Sequence, residues 1–272
     1  TIITTTFIPC SAKIPIIALI AGNLFEDAWW VAPSAYFIGV AAVVVSGIML
    51  KKTKLFAGEV APFVLELPIY HMPTFGNIMR SMWERASSFI KKAGTVILVS
   101  SIIIWLGSSF GVMNGNFTFS LDMSLSDSVI GIIGNALKFL FVPLGFGNAE
   151  TAVATIMGLI AKEEIVSVLE ILEFNGLSQL AGYSFLVFNL LCAPCFAAMG
   201  AIRREMNSGK WTFFAIAYQC TFAYAVSLMI YQFGNLFMGT PNLIGVICAS
   251  LILVAIVFML MKPFKEYKKY KG

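Results

Sequence analysis

The sequence predicts an all-α, polytopic membrane protein with broken or re-entrant gate helices. Its 272 residues are 59% hydrophobic and only 12% charged, whereas soluble domains carry about 25% charged residues. Several apolar runs approach the roughly 20 residues that a spanning helix needs. Two apolar stretches contain a proline–cysteine motif, at Pro9-Cys10 and at Pro194-Cys195. Proline removes a backbone hydrogen bond, and irregular backbone at membrane depth is tolerated only where protein or a water-lined cavity covers it. The motifs therefore indicate elements of a pathway.

The first half of the chain divides into two predicted regions. Residues 1–54 form the end of a first gate region, with a half helix at Ile14–Phe25 and one span at Trp30–Leu50. Residues 55–92 leave the membrane as a cytoplasmic Pro-rich segment. They end in an interfacial amphipathic helix over 77–92, where apolar side chains share one side and charged residues surround them.

The second half also divides into two predicted regions. Residues 93–206 form a second gate region that contains the second motif, and residues 207–272 hold the C-terminal spans and a basic cytoplasmic tail. Residues 129–146 are punctuated by Gly and Pro and predict a re-entrant segment. The other predicted helices are Thr95–Phe110, Ala149–Leu172, Phe185–Ile202, Trp211–Tyr231 and Leu243–Met261.

The charged residues orient the chain and exclude other classes. Lys and Arg cluster in 51–54, 80–92, 203–210 and 262–271, which places these segments and the C-terminus in the cytoplasm. The basic tail would face anionic lipid. A net charge of +4 is no nucleic-acid signature, and five irregularly spaced cysteines do not form a disulfide framework.

The start of the chain predicts that it is a fragment or a split subunit of a larger protein. It opens Thr1-Ile-Ile-Thr4, without an initiator Met or a signal peptide. The second motif follows about 100 residues of helical scaffold, whereas nine residues precede Cys10. Because transporters commonly pair repeats with broken helices, we expect the first repeat to continue upstream.

Several strings resemble the bacterial ferrous iron transport protein B. They run in order along most of the chain: Phe7-Ile-Pro-Cys10-Ser-Ala-Lys13-Ile-Pro15, Glu59-Val-Ala-Pro-Phe63, Glu66-Leu-Pro-Ile-Tyr70-His-Met-Pro73, Trp83-Glu-Arg85, Lys91-Lys-Ala-Gly-Thr95, Ala161-Lys-Glu163 and Pro194-Cys195 through Arg203-Arg-Glu205. The resemblance implies uptake of Fe2+ across the bacterial inner membrane by two gate regions.

The resemblance also implies partners. The family couples its gates to an N-terminal GTPase domain, but this sequence has no Gly-x-x-x-x-Gly-Lys-Ser/Thr phosphate loop. GTP and Mg2+ would therefore belong to the missing G domain, and we expect neither a cofactor nor enzymatic activity in this chain. Other expected partners are the first-gate helices, membrane lipid, a small cytoplasmic iron-transport accessory protein and further copies of the protein.

Cys10 and Cys195 are the first candidates for transient metal ligands in the pathway. Each pairs a thiol with backbone carbonyls that the adjacent proline frees, which suits a borderline ion such as Fe2+. Ser11 and Glu163 are weaker candidates. The alternative is that each cysteine is a small apolar residue in a helix contact.

Four further residues are candidates for gating or for the cytoplasmic exit. Lys13 is expected to snorkel at a helix end, with a gating ion pair as the alternative. Lys162 and Glu163 are functional if they lie inside the span and ordinary solvated charges if they lie at the interface. Glu59 and Glu66 either receive iron or contact the G domain, or they lie in a solvated loop. His71 alone cannot build a metal site.

Three other functions stay open from the residues alone. The first is a gate-type transporter of another solute, either nucleoside-like or another divalent metal. The second is an intramembrane thiol oxidoreductase that uses Cys192 and Cys195, which form a Cys-x-x-Cys. The third is a scaffold that transports nothing.

Overall fold

The protein is built almost entirely of helices. The computed structural model describes residues 2–25, 28–53, 74–113, 116–119, 128–160, 162, 165–166, 177–240 and 242–262. The α-helices of this part are α1 (Ile2–Thr5), α2 (Ile14–Phe25), α3 (Val31–Lys51), α4 (Phe75–Ser109), α5 (Val129–Phe141), α6 (Ala149–Ile160), α7 (Gln179–Leu191), α8 (Phe196–Met206), α9 (Gly209–Phe237) and α10 (Leu243–Met261). Two 3-10 helices lie at Ser11–Lys13 and Val142–Leu144.

Three helices are long and apolar enough to cross a membrane. They are α3, α9 and α10, and a bent pair adds a fourth crossing if it counts as one span. That pair, Gly131–Leu144 with Ala149–Leu159, bends by 100° at a break that contains Gly145 and Gly147 and directly follows the turn at Pro143. The expected polytopic helical architecture is confirmed, and the bend agrees with the re-entrant segment predicted over 129–146.

Two apolar helices are too short to cross. α7 has 13 residues and is therefore about 20 Å long, against about 30 Å of hydrocarbon. The segment Ser11–Phe25 is similarly short. α7 packs against α2, α3 and α9, and residues 184–191 are all buried. Its C-terminal end therefore lies inside the helical bundle.

Several predicted boundaries need correction. The predicted amphipathic helix and the predicted span Thr95–Phe110 form one continuous helix, α4, which is not among the three candidate spans. The predicted helix Phe185–Ile202 is two helices, α7 and α8, because the backbone is extended between them. An unpredicted antiparallel hairpin pairs β1 (Phe110–Met113) with β2 (Asn116–Phe119).

Some predicted segments lie outside the described residues. These are the Pro-rich segment over 55–73, most of the predicted helix beyond 160, and the basic tail from 263 onward.

Polar contacts join the central helices. The hydroxyls of Ser184 in α7 and Ser227 in α9 are 2.7 Å apart, and the Ser227 hydroxyl also donates to the Ser184 carbonyl at 2.9 Å. Gln219 of α9 donates to the Ile3 carbonyl and to the Thr6 hydroxyl, both at 2.8 Å. These bonds attach the first segment of the chain to the bundle.

Candidate functional site

The two proline–cysteine motifs have the same backbone arrangement. Cys10 is extended, with φ −87° and ψ 170°, and directly precedes the 3-10 helix that leads into α2. Cys195 is extended, with φ −60° and ψ 161°, and directly precedes α8. Neither side chain makes a capping hydrogen bond. The motif repeat seen in the sequence is therefore also a repeat of local structure.

The second motif breaks a helix inside the protein. α7 ends at Leu191, and Cys192 is extended, with φ −67° and ψ 172°. Residues 192–194 are buried and Cys195 is partly buried, whereas Cys10 is exposed. Buried backbone groups need hydrogen-bond partners, and the carbonyls at the end of a helix have none within the helix. The partners found here are two lysines.

Lys13 joins the two motifs. Its side chain is 3% exposed, and its ammonium donates to the Thr6 carbonyl at 3.0 Å and to the Leu190 carbonyl at 2.6 Å. The first acceptor precedes the first motif, and the second lies at the end of α7. This corrects the expectation that Lys13 snorkels: the side chain is directed into the bundle, where the Leu190 carbonyl at the α7 end binds it.

Lys162 reaches the same helix end from the segment after α6. It is 1% exposed, so Lys162 is not an ordinary solvated charge. Its ammonium donates to the Asn189 carbonyl at 3.0 Å and to the Cys192 sulfur at 3.2 Å. The Lys13 ammonium is within electrostatic range of Lys162 and of the side chains of Cys10, Cys192 and Cys195. Both motifs and both lysines therefore form one cluster.

A cavity of about 440 Å³ lies beside the break. Cys192 and Cys220 contribute to its otherwise largely apolar lining, together with Phe188, Thr155 and Tyr224. Cys220 of α9 also interacts with the Ala193 backbone. Neither Cys220 nor Asn189 was identified from the sequence, because both lie in ordinary helical runs without a local signal.

The remaining candidates contribute less to this cluster. Ser11 is exposed in its 3-10 helix. Four other residues lie outside the described part of the chain: Glu59, Glu66, His71 and Glu163. Within the part of the chain that is described, no group of three or more His, Cys, Asp or Glu side chains could hold a metal ion. The described thiols are therefore better suited to binding a passing metal ion briefly than to holding a resident metal centre.

The fold and the site define a class of protein. Short broken helices inside a bundle of spanning helices, with carbonyls and polar groups at the breaks, are typical of secondary transporters. The chain is thus a multi-pass membrane protein with broken helices of the kind that transporters contain.

Comparisons with known proteins specify the family. Residues 32–85 match the family described as "Ferrous iron transport protein B C terminus", and residues 90–209 match a gate family described as "Nucleoside recognition". These matches confirm the resemblance found in the sequence: the chain corresponds to the C-terminal membrane portion of ferrous iron transport protein B. No solved structure matches the chain.

Relatives from bacteria and archaea agree. A protein of Staphylococcus aureus (strain COL) named "Fe(2+) transporter FeoB" is 34% identical over 87% of this chain and 36% of its own length. A protein of the same name from Methanocaldococcus jannaschii is 33% identical over 87% of this chain and 37% of its own length. A Porphyromonas gingivalis protein named "Fe(2+) transport protein A/Fe(2+) transporter FeoB fusion protein" is 31% identical over 87% of this chain and 34% of its own length. The chain spans about a third of the length of each.

Proposed function

We propose that this chain forms the membrane permeation part of a transporter that takes up ferrous iron. The observation that carries the proposal is the Lys13 contact, which joins the segment of the first proline–cysteine motif to the buried end of α7 that precedes the second motif. Thiols and helix-end carbonyls at such breaks suit brief binding of a borderline divalent ion. Cys10 and Cys195 act as the principal transient ligands in this proposal, with Ser11 and Glu163 as weaker ones.

The proposal includes a membrane arrangement. The regions 1–54 and 93–206 are the two gates, 55–92 is cytoplasmic, and 207–272 completes the spans. The basic segments support a cytoplasmic C-terminus, and the bacterial relatives support the inner membrane as the location. Glu59 and Glu66 then lie where iron leaves the pathway.

Coupling to other parts is also a proposal. The family resemblance supports a G domain that binds GTP and Mg2+ and drives the gates, and first-gate helices that complete the first repeat. The Porphyromonas gingivalis fusion protein supports a small accessory protein as a partner. Further copies of the protein and membrane lipid are the remaining proposed partners, and nucleic acid is not one.

Uptake of ferrous iron by an uptake-deficient bacterium under anaerobic conditions tests the proposal. The chain is expressed from its complete reading frame, as wild type and as the variants Cys10→Ser and Cys195→Ser, with membrane levels matched. Cys248→Ser is the control, because Cys248 lies on the exposed surface of α10. We expect uptake by the wild type and the control and a loss of at least tenfold in the two pathway variants.

Competition experiments separate the proposal from other solutes. Excess Mn2+, Zn2+ or a nucleoside is added during iron uptake, and uptake of labelled nucleoside is measured in parallel. Nucleoside uptake without iron uptake would refute the proposal in favour of the other gate-type function. Iron uptake unchanged in both cysteine variants would reject these thiols as ligands.

A further inference from the structure

The C-terminal end of α7 presents carbonyl oxygens inside the bundle. The last four carbonyls of an α-helix have no partner within the helix, and α7 ends at Leu191. The Asn189 carbonyl accepts a hydrogen bond from the Lys162 ammonium, and the Leu190 carbonyl accepts one from the Lys13 ammonium. Two cationic groups thus occupy the carbonyl end of this helix.

The charge distribution at this end favours cations. Lys13 and Lys162 are 3% and 1% exposed, and neither forms an ion pair with an Asp or Glu of the described residues. A buried ammonium is costly unless it is compensated, and two like charges close together add to that cost. The compensation comes from carbonyl oxygens, from a thiol, and from the partial negative charge at a helix C-terminus.

Asn189 and Cys192 carry further polar atoms in this part of the chain. Asn189 is 1% exposed. Its amide nitrogen donates to the Phe185 carbonyl at 3.0 Å, while its amide oxygen Oδ1 has no hydrogen-bond partner among the described residues. The Cys192 sulfur lies 3.2 Å from the Lys162 ammonium. The neutral oxygens would also suit Mg2+ or Ca2+, and the sulfur is the ligand that favours borderline divalent metals.

We propose that this end of α7 is a divalent-cation site that Lys13 and Lys162 keep closed as tethered substitutes for the ion. The "α7 cation site" comprises the Asn189 and Leu190 carbonyls, Asn189 Oδ1 and the Cys192 sulfur. The inference rests on the proposed cation transport. An entering cation takes these ligands only when the ammonium groups withdraw, because like charges repel. The Cys192 thiol releases its proton to solvent when it becomes a ligand.

Binding of Co2+ to the purified full-length protein in detergent, without air, tests the site. Co2+ bound by thiolate gives a sulfur-to-metal charge-transfer band, which reports ligation by cysteine. Lys162→Met removes the competing charge and keeps an unbranched stem. We expect its Kd for Co2+ to be about tenfold lower than that of the wild type, with a stronger charge-transfer band. Adding Cys192→Ala to this variant should remove both gains, and adding Asn189→Ala should weaken binding.

Two controls separate the charge effect from a structural one. Lys162→Arg keeps the charge and should bind Co2+ like the wild type. Lys52→Met removes a lysine that donates to the Leu260 carbonyl near the end of α10, away from the α7 cation site, and should give no gain. Lys13→Met is the second test variant, and it decides the matter if Lys162→Met does not fold.

The outcomes that overturn the inference are specific. An unchanged Kd for Co2+ in a stably folded Lys162→Met or Lys13→Met variant overturns the inference. Tighter Co2+ binding that persists after Cys192→Ala is added also overturns it. Iron uptake by the same proteins is measured in parallel. If the wild type takes up iron but the lysine variants bind Co2+ no more tightly, the inference alone is rejected. If the lysine variants bind Co2+ more tightly but the wild type takes up no iron, the proposed function alone is rejected.

Discussion

Replacing Gly39 by alanine tests whether the first proline–cysteine segment must lie directly against α3. Gly39 is buried in α3, and an added Cβ would lie 2.9 Å from the Phe7 carbonyl oxygen and 3.2 Å from Cδ of Pro9. Ordinary contact begins near 3.4 Å, so the Phe7 backbone has to move by about half an ångström. The displaced segment carries Cys10, although the substitution itself changes no proposed ligand.

The magnitude follows from two opposing effects. Overpacking a well-packed interior costs roughly 1–3 kcal/mol, while alanine in place of glycine favours a helix by roughly 1 kcal/mol. Gly47 lies in the same helix with nothing within 4 Å of an added Cβ, so Gly47→Ala has only the favourable effect. We therefore expect Gly39→Ala to be less stable than Gly47→Ala by roughly 1–3 kcal/mol, at roughly 2–4 °C of Tm per kcal/mol.

Thermal unfolding of the full-length protein in detergent measures this difference. Anaerobic iron uptake at matched membrane levels is the functional assay. We expect Gly39→Ala to unfold at a lower temperature and to take up iron more slowly, and Gly47→Ala to transport like the wild type. Equal Tm values and equal uptake for the two variants would refute the close packing of the first motif on α3.

Two further predictions concern the second motif and its helix. A double-mutant cycle with Ser184→Ala and Ser227→Ala should give a coupling energy of about 0.6 kcal/mol, typical of hydrogen bonds between membrane helices, and a value near zero would contradict the hydroxyl pair. Pro194→Ala restores a backbone N–H and relieves the restriction on helix formation, so we expect iron uptake to fall at an unchanged membrane level. Uptake equal to that of the wild type would show that the break does not need this proline.

Local apolar sequence predicted two of the three candidate spans closely, whereas α9 (Gly209–Phe237) continues beyond its predicted end at Tyr231. The run Leu243–Met261 is a helix with those same bounds, and α3 differs from its prediction by one residue at each end. The boundary placed near Lys92 was wrong because a change of polarity does not end a helix. Gly94 is the one residue of low helix propensity between the two predicted segments, and a single glycine weakens a helix without stopping it.

The hairpin has a local sequence signal, although no strand is predicted from the hydropathy pattern of this region. The sequence between β1 and β2 is Asn114-Gly115, a pair that strongly favours two-residue hairpin connections. The paired strands supply aromatic residues at Phe110 and Phe119, which also favour strands.

The candidate site was predictable only in part. Its cysteines and prolines were found because each motif is a local pattern. The bond from Lys13 to the Leu190 carbonyl joins residues 177 positions apart, and no local pattern encodes such a contact. The burial of Lys162 likewise depends on where α7 ends within the bundle. The spacing of apolar residues along the chain does not specify how deeply the end of α7 lies within the bundle.

The Lys13 ammonium also determines how the two motifs can respond to a cation. It binds the Thr6 carbonyl before the first motif and the Leu190 carbonyl before the second. If the Lys13 ammonium moves away from one of these carbonyls to admit an ion, its hydrogen bond to the other carbonyl also changes unless that carbonyl moves with it. Lys13 is also the last residue of the 3-10 helix that continues into α2, so a shift of α2 moves the ammonium. Under the proposed transport function, release at either motif is therefore transmitted to the other, and the two motifs should respond to a cation together.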